Sequence, residues 1–178
     1  MAAALWQAEF RHHRPLIERI LAQTGRRVLH GEAVDAAEKI VSLFEPHADI
    51  IVKGGRGVRY GHKLNLTTGR SGLILDLVIE AGNPADSERF LPMLKRHAAF
   101  YGEAPRQTAA DGGFASRDNL SEAKALGFRA GIESDILCLK RAYGLARCLW
   151  RGLDHFTAYV WSSVVAHNLA LFARLRPT

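Results

Sequence analysis

Tyr60-Gly-His-Lys-Leu-Asn-Leu-Thr-Thr-Gly-Arg-Ser-Gly-Leu-Ile-Leu-Asp-Leu-Val-Ile-Glu80 is the stretch on which the fold class turns. Leu64 and Leu66 alternate with Lys63, Asn65 and Thr67, the two-residue period of a half-buried strand. Leu73 to Glu80 is the strongest strand signal in the chain, apolar and rich in branched side chains. Thr68-Gly-Arg-Ser-Gly72 joins them tightly. Two such runs around a short glycine-containing turn predict a β-hairpin over Tyr60–Glu80.

Outward from the hairpin the period changes. Asp49-Ile-Ile-Val-Lys53 is followed by the glycine-rich turn Gly54-Gly-Arg-Gly57. Before it, Ala2 to Thr24 predicts a helix with a break at Pro15. Asp35 to Phe44 predicts a second helix, with Ala36, Ala37, Ile40, Val41 and Phe44 at helical spacing and Pro46 as its stop. After the hairpin, Gly82-Asn-Pro84 breaks the chain and Asp86 is placed to cap a helix over Ser87–Phe100, whose apolar face is Phe90, Leu91, Leu94 and Ala98. A short strand, Gln107–Asp111, runs into Gly112-Gly-Phe114. Asp118 opens a helix over Asn119–Leu126, and the pattern from Arg129 onward is helical with a break near Arg151-Gly152. Strands covered by helices predict a mixed α/β (α+β) fold ending in a long C-terminal helix.

The bulk properties narrow the partners. At 178 residues, 48% hydrophobic and 24% charged, the chain is ordinary globular material long enough for one real core. Its net charge of +6 and pI near 9.7 attract phosphate backbones, anionic headgroups or acidic proteins, and charge alone does not choose among them. Cys138 and Cys148 lack metal spacing and read as two small buried thiols of a reducing cytoplasm. No secretory leader is read in Met1–Pro15. Phe156 to Ala173 carries no Lys, Arg, Asp or Glu, but Ser162, Ser163, His167 and Asn168 favour a buried or amphipathic helix over a membrane span. Nothing points to haem, nucleotide, flavin or a structural zinc.

Two carboxylates stand where chemistry is usually found. Asp111 ends an apolar strand and is followed by glycines, which let a backbone or a phosphate approach closely, although Asp-Gly is also a common turn. Glu133 lies beside an apolar stripe of Ile132, Ile136 and Leu139, where a carboxylate is expensive unless paired or metal-bound; a solvated surface glutamate is the plainer alternative. Two carboxylates near a strand end suit Mg²⁺, which keeps waters and phosphate oxygens as its remaining ligands.

Ordered landmarks add a resemblance. Tyr60-Gly-His-Lys-Leu-Asn-Leu66, Gly82-Asn-Pro-Ala-Asp86, Ala110-Asp-Gly-Gly-Phe-Ala-Ser116, Arg129-Ala-Gly-Ile-Glu133 with Leu139-Lys-Arg-Ala-Tyr-Gly-Leu145, and the tail Trp150-Arg-Gly-Leu-Asp-His-Phe156 through Ala158–Leu169 resemble DDE-type insertion-sequence transposases of the ISNCY type. The resemblance runs from about Arg27 onward. It implies an RNase H-like fold in which two aspartates and a glutamate hold two Mg²⁺ or Mn²⁺ ions for attack on a DNA phosphodiester. Asp111 matches the second aspartate and Glu133 the glutamate, as catalytic residues and metal ligands. Lys140, Arg141, Arg147 and Arg151 are the expected contacts to the DNA backbone.

The departures from the family pattern shape the expectation. No block matches the first aspartate, and Asp49 and Asp76 lie in contexts that match other segments. Only twenty-two positions separate Asp111 from Glu133, so the strand and basic connection normally between them are missing at Gly127-Phe-Arg129. Residues 1–45 then correspond to a helical insertion of the catalytic domain and residues 46–178 to a remnant of that domain, a partial RNase H-like fold of one hairpin and one further strand. The expected function is that of a truncated, internally deleted transposase fragment, inactive alone. The alternative is a non-catalytic module that binds DNA or associates with itself or a full-length transposase.

Overall fold

A computed structural model of the chain describes residues 2–52, 57–103, 105, 108–114, 116–125, 130–131 and 148–174. Contacts divide it into two units. The first comprises Met1–Lys63, Ala81–Asn83 and Trp150–Phe156, and the second Leu64–Glu80, Pro84–Leu149 and Thr157–Thr178. The protein mixes helices and strands, and the described strands form two-stranded sheets.

In the first unit, helix α1 (Ala2–Thr24) continues as a π-helical stretch, Gly25–Leu29. Pro15 does not break it, contrary to the sequence expectation. The proline removes one helical donor, but the helix is pinned beyond it: Gln23 donates from Nε2 to the Ile40 carbonyl (2.8 Å) and accepts from the Ile40 N–H at Oε1 (2.9 Å). The same clamp corrects the helix expected over Asp35–Phe44. Only Ala36–Glu38 forms a 3-10 turn, capped by Asp35, and Lys39 is already extended. Ile40 is 5% exposed, and both of its backbone polar groups are spent on Gln23 rather than on a helix.

Strands β1 (Asp49–Val52) and β2 (Val58–Gly61) pair antiparallel, from Asp49 opposite Gly61 to Val52 opposite Val58. Tyr60 and Gly61 therefore belong to a first hairpin, not to the predicted one. The second unit holds the latter, shortened to β3 (Leu64–Thr68) and β4 (Ile74–Ile79), with Leu64 opposite Ile79 and an irregularity between Thr67 and Thr68. Gly72, at φ +81, closes the turn with a bond to the Gly69 carbonyl.

Helix α2 (Asp86–Tyr101) docks on this hairpin through two arginines two turns apart. Arg96 meets Asp76 in a fork, Nε to Oδ2 at 2.8 Å and Nη2 to Oδ1 at 3.0 Å. Arg89 Nη2 donates to Glu80, a carboxylate 5% exposed that also accepts from Asn65 Nδ2 at 2.7 Å. The Arg96 fork holds the Asp76 carboxyl below its ordinary range. The helix starts one residue earlier than predicted: Ala85 is its N-cap, and Asp86 lies in its first turn, where a negative charge suits the helix end. Phe90 and Leu94 on α2 pack with Ala123 of α3 (Arg117–Ala125), and Leu91, Ala110 and Phe114 close over them.

β5 (Thr108–Ala109) pairs in parallel with β6 (Ala130–Gly131). The helical reading from Arg129 is thus corrected at its start, since Ala130 and Gly131 are strand. Helix α4 (Leu153–Arg174) ends the described chain, as the sequence anticipates. Among the described residues it is the one helix long and apolar enough to cross a membrane by length and composition. Its polar residues are engaged within the protein. Asn168 accepts from the Ile74 N–H and donates to the Ile74 carbonyl, both at 2.9 Å, His167 Nε2 lies 3.0 Å from the Gly72 carbonyl, and Ser162 and Ser163 donate to carbonyls one turn back.

Replacing Asn168 by alanine strands both polar groups of a residue that is 6% exposed. The expected loss is about 2–3 kcal/mol of unfolding free energy, read from urea titration. A loss under about 0.5 kcal/mol, the size of an ordinary surface change, would show that the clamp does not hold β4.

Candidate functional site

The turn around Asp111 is built by its neighbours. Ala110 and Phe114 sink into the cluster between α2 and α3, and the Phe114 N–H donates to the Asp111 carbonyl at 2.9 Å, closing the 3-10 turn Gly112–Phe114. Asn119, 8% exposed, donates from Nδ2 to the carbonyls of Ser87 (2.6 Å) and Phe114 (3.0 Å), tying the turn to the start of α2. Ser116 Oγ accepts from the Asn119 N–H at 3.0 Å. A Cβ on Gly113 would sit 2.9 Å from Asp86 Oδ2, so glycine is what lets this turn approach α2. The result is an exposed Asp111 side chain on a well-anchored turn.

Of the other expected site residues, Glu133, Lys140, Arg141 and Arg147 lie outside the described residues. Arg151 is described and exposed; its guanidinium stands 5.1 Å from the ring centroid of Phe44, in the first unit, whereas Asp111 belongs to the second. That distance is within cation–π range. Among the described residues no three His, Cys, Asp or Glu side chains are placed to share a metal ion. Cys148 is half-buried, and Cys138 lies outside the described residues.

No protein-family model, curated protein or solved structure matches the chain.

A polar chain that the sequence reading missed runs through the first unit. Asp49 Oδ2 lies 3.3 Å from His62 Nδ1, His62 Nε2 lies 2.8 Å from His47 Nδ1, and His47 Nε2 lies 2.6 Å from Glu45 Oε2. The last contact is off the line of a hydrogen bond. Both carboxylates also accept from backbone: Glu45 from the Gly152 N–H at 3.1 Å and Asp49 from the Gly82 N–H at 2.9 Å. The rings are nearly parallel, 5.0 Å between centroids, and Phe156 covers His62 at 4.9 Å. With Asp49 taking the proton of Nδ1, His62 Nε2 accepts from His47 Nδ1, and Glu45 lies beside His47 Nε2 without a hydrogen bond to it. The arrangement can hold one positive charge between two carboxylates. Pairing β1 with β2 is the signal that finds it, because Gly61 opposite Asp49 puts His62 one residue beyond.

Burial lowers the pKa of His62 below its ordinary 6.5, and the neighbouring His47 adds to the effect against the opposing pull of Asp49. The folded ring therefore binds its proton less firmly than the unfolded one. Stability should fall as pH drops below about 6.5 toward the lowered value. His62→Gln should flatten the pH dependence of the urea midpoint between pH 7 and 5; an unchanged slope would assign the titration to another group.

Proposed function

We propose that this chain is a remnant of a DDE-type insertion-sequence transposase, with a partial RNase H-like fold, that binds DNA and is catalytically inactive alone. The observation that carries the reading is the parallel pair β5–β6. Ala109 and Gly131 are register partners, and each stands two residues before one of the candidate carboxylates, Asp111 and Glu133, in the sequence. Parallel strands that end together are where the functional residues of α/β sheets gather. The hairpin β3–β4 followed by α2, β5 and the Asp111 turn supports the same order of landmarks. The net charge of +6 and the exposed Arg151 support a DNA backbone as the partner.

The short connection between Asp111 and Glu133 supports inactivity, since the resemblance implies a further strand between them. A pair of carboxylates without the third holds divalent ions weakly, and two ions are needed to activate the attacking and leaving oxygens together. A second reading, a non-catalytic module that associates with DNA or with a full-length transposase, shares the basic surface and dispenses with the metal.

The test is one preparation with three readouts, using the wild type, Asp111→Ala and Glu133→Ala. Duplex DNA binding should weaken linearly in log–log form with rising salt, and no nicking or strand transfer should occur in Mg²⁺ or Mn²⁺. A metal-dependent rise in melting temperature, lost in both variants, would show that the two carboxylates share an ion. Salt-independent binding overturns the DNA reading. Nicking that both variants abolish overturns inactivity while keeping the ancestry. No metal shift in any protein leaves the non-catalytic module as the reading.

A further inference from the structure

Helix α1 carries an apolar stripe that the protein leaves open. Trp6, Phe10, Ile17 and Leu21 are 75%, 65%, 42% and 66% exposed. At 100° per residue they fall within roughly a 60° arc of the helix surface, a continuous seam rather than scattered residues. The side of α1 facing its own unit adjoins the stripe: His13, at the stripe's edge, packs edge-on against Phe44, and Gln23, farther round the helix, clamps Ile40. The exposed stripe is therefore not a core face that has lost its packing inside the described unit.

The spacing of the stripe is symmetric along the helix. Read in either direction it runs aromatic or leucine, then four residues on a second apolar side chain, then seven, then four. An antiparallel copy of α1, related by a two-fold axis near His13 and Arg14, places Leu21 opposite Trp6 and Ile17 opposite Phe10 at both ends. Trp6, Gln7, Phe10 and Arg11 surround an open notch, and this pairing brings the branched side chains of Ile17 and Leu21 to it, as a knob meets a hole. The flank beside the seam is complementary in charge. Arg11 of one copy falls within a turn of Glu18 of the other, and Arg14, which approaches its own copy at the axis, is already paired with Glu18 in its own chain at 2.8 Å. Four side chains of this size present on the order of 500 Å² per copy, so the pair buries about 1,000 Å², the lower bound for a specific interface.

We propose that α1 is a self-association surface, and that two copies of this chain dimerise by antiparallel pairing of their α1 helices along Trp6, Phe10, Ile17 and Leu21. The interface is isologous, since each residue meets the counterpart its partner presents, and so it closes at two copies. This inference does not depend on the DNA reading.

Sedimentation of the full chain under reducing conditions, without DNA, is the test. The wild type should reversibly form a dimer in the micromolar range, and Phe10→Glu with Ile17→Glu should raise the dissociation constant at least about tenfold. Both positions are exposed in the single chain, so circular dichroism and urea midpoint should stay near wild type. Orientation is read separately under oxidation. Arg14→Cys lies at the axis and should crosslink to itself above the wild-type background, while Leu21→Cys should not, because the two copies of residue 21 stand at opposite ends of the seam. A monomer at all concentrations, a dimer that the double variant leaves intact, or self-crosslinking of Leu21→Cys each overturns the proposal.

Discussion

Every described strand in this protein pairs with one other described strand. The sheets among the described residues are two-stranded, so each strand has one ladder of backbone donors and acceptors that no other described strand meets. Where such a backbone is buried, a partner has to come from elsewhere. It comes from side-chain amides. Asn168 takes both groups of Ile74 at the start of β4, and Gln23 does the same for Ile40, which lies in a connecting segment. An amide offers a donor and an acceptor side by side, in the same spacing that a neighbouring strand would present. A helical asparagine thereby supplies at Ile74 what a neighbouring strand would, and the buried Ile40 and Ile74 each depend on one such amide.

Charge is used in the same way. In the first unit the series Gly152, Glu45, His47, His62, Asp49, Gly82 links segments far apart in sequence. The excursions Ala81–Asn83 and Trp150–Phe156 belong to that unit, and each contributes a backbone N–H to one of its carboxylates. In the second unit Asp76 and Glu80, four apart on β4 and its end, meet Arg96 and Arg89, seven apart on α2. Four strand residues span about 13 Å and seven helix residues about 10.5 Å, close enough for long arginines to bridge the difference. Glu80 is tolerated at 5% exposure because Asn65 and Arg89 satisfy it; removing either partner would leave a buried charge.

These devices decide what could be read from sequence. The hairpin β3–β4 was legible because its signal is local: alternation, a glycine turn, then a branched apolar run. The α2 face was legible for the same reason, and Phe90 and Leu94 are buried. The Asp111 turn was legible from Asp-Gly-Gly. What escaped is non-local. Asn168 and Ile74 are ninety-four residues apart, and nothing in either neighbourhood announces the clamp. Gln23 overrides the helical spacing of residues 35–44 because it occupies the Ile40 backbone, a preference that periodicity does not register. β6 is two residues long and has no alternation to show, so Ala130 and Gly131 read as the start of a helix. His62 was hidden by assigning Tyr60 to the later hairpin, which separated it from Asp49.

The same sorting bears on which carboxylate matters. Glu45, Asp49, Asp76 and Glu80 are consumed by the framework, each holding a backbone N–H, an imidazole or a guanidinium. Asp111 is not. Its turn is held by the packing of Ala110 and Phe114, by its own carbonyl and by Asn119, while its carboxylate stays exposed and no described side chain is assigned to it. Among the described residues the supports of this turn do not include the acid at its tip. Replacing the side chain of Asp111 therefore leaves those described supports in place, which makes the substitution a test of the carboxylate itself.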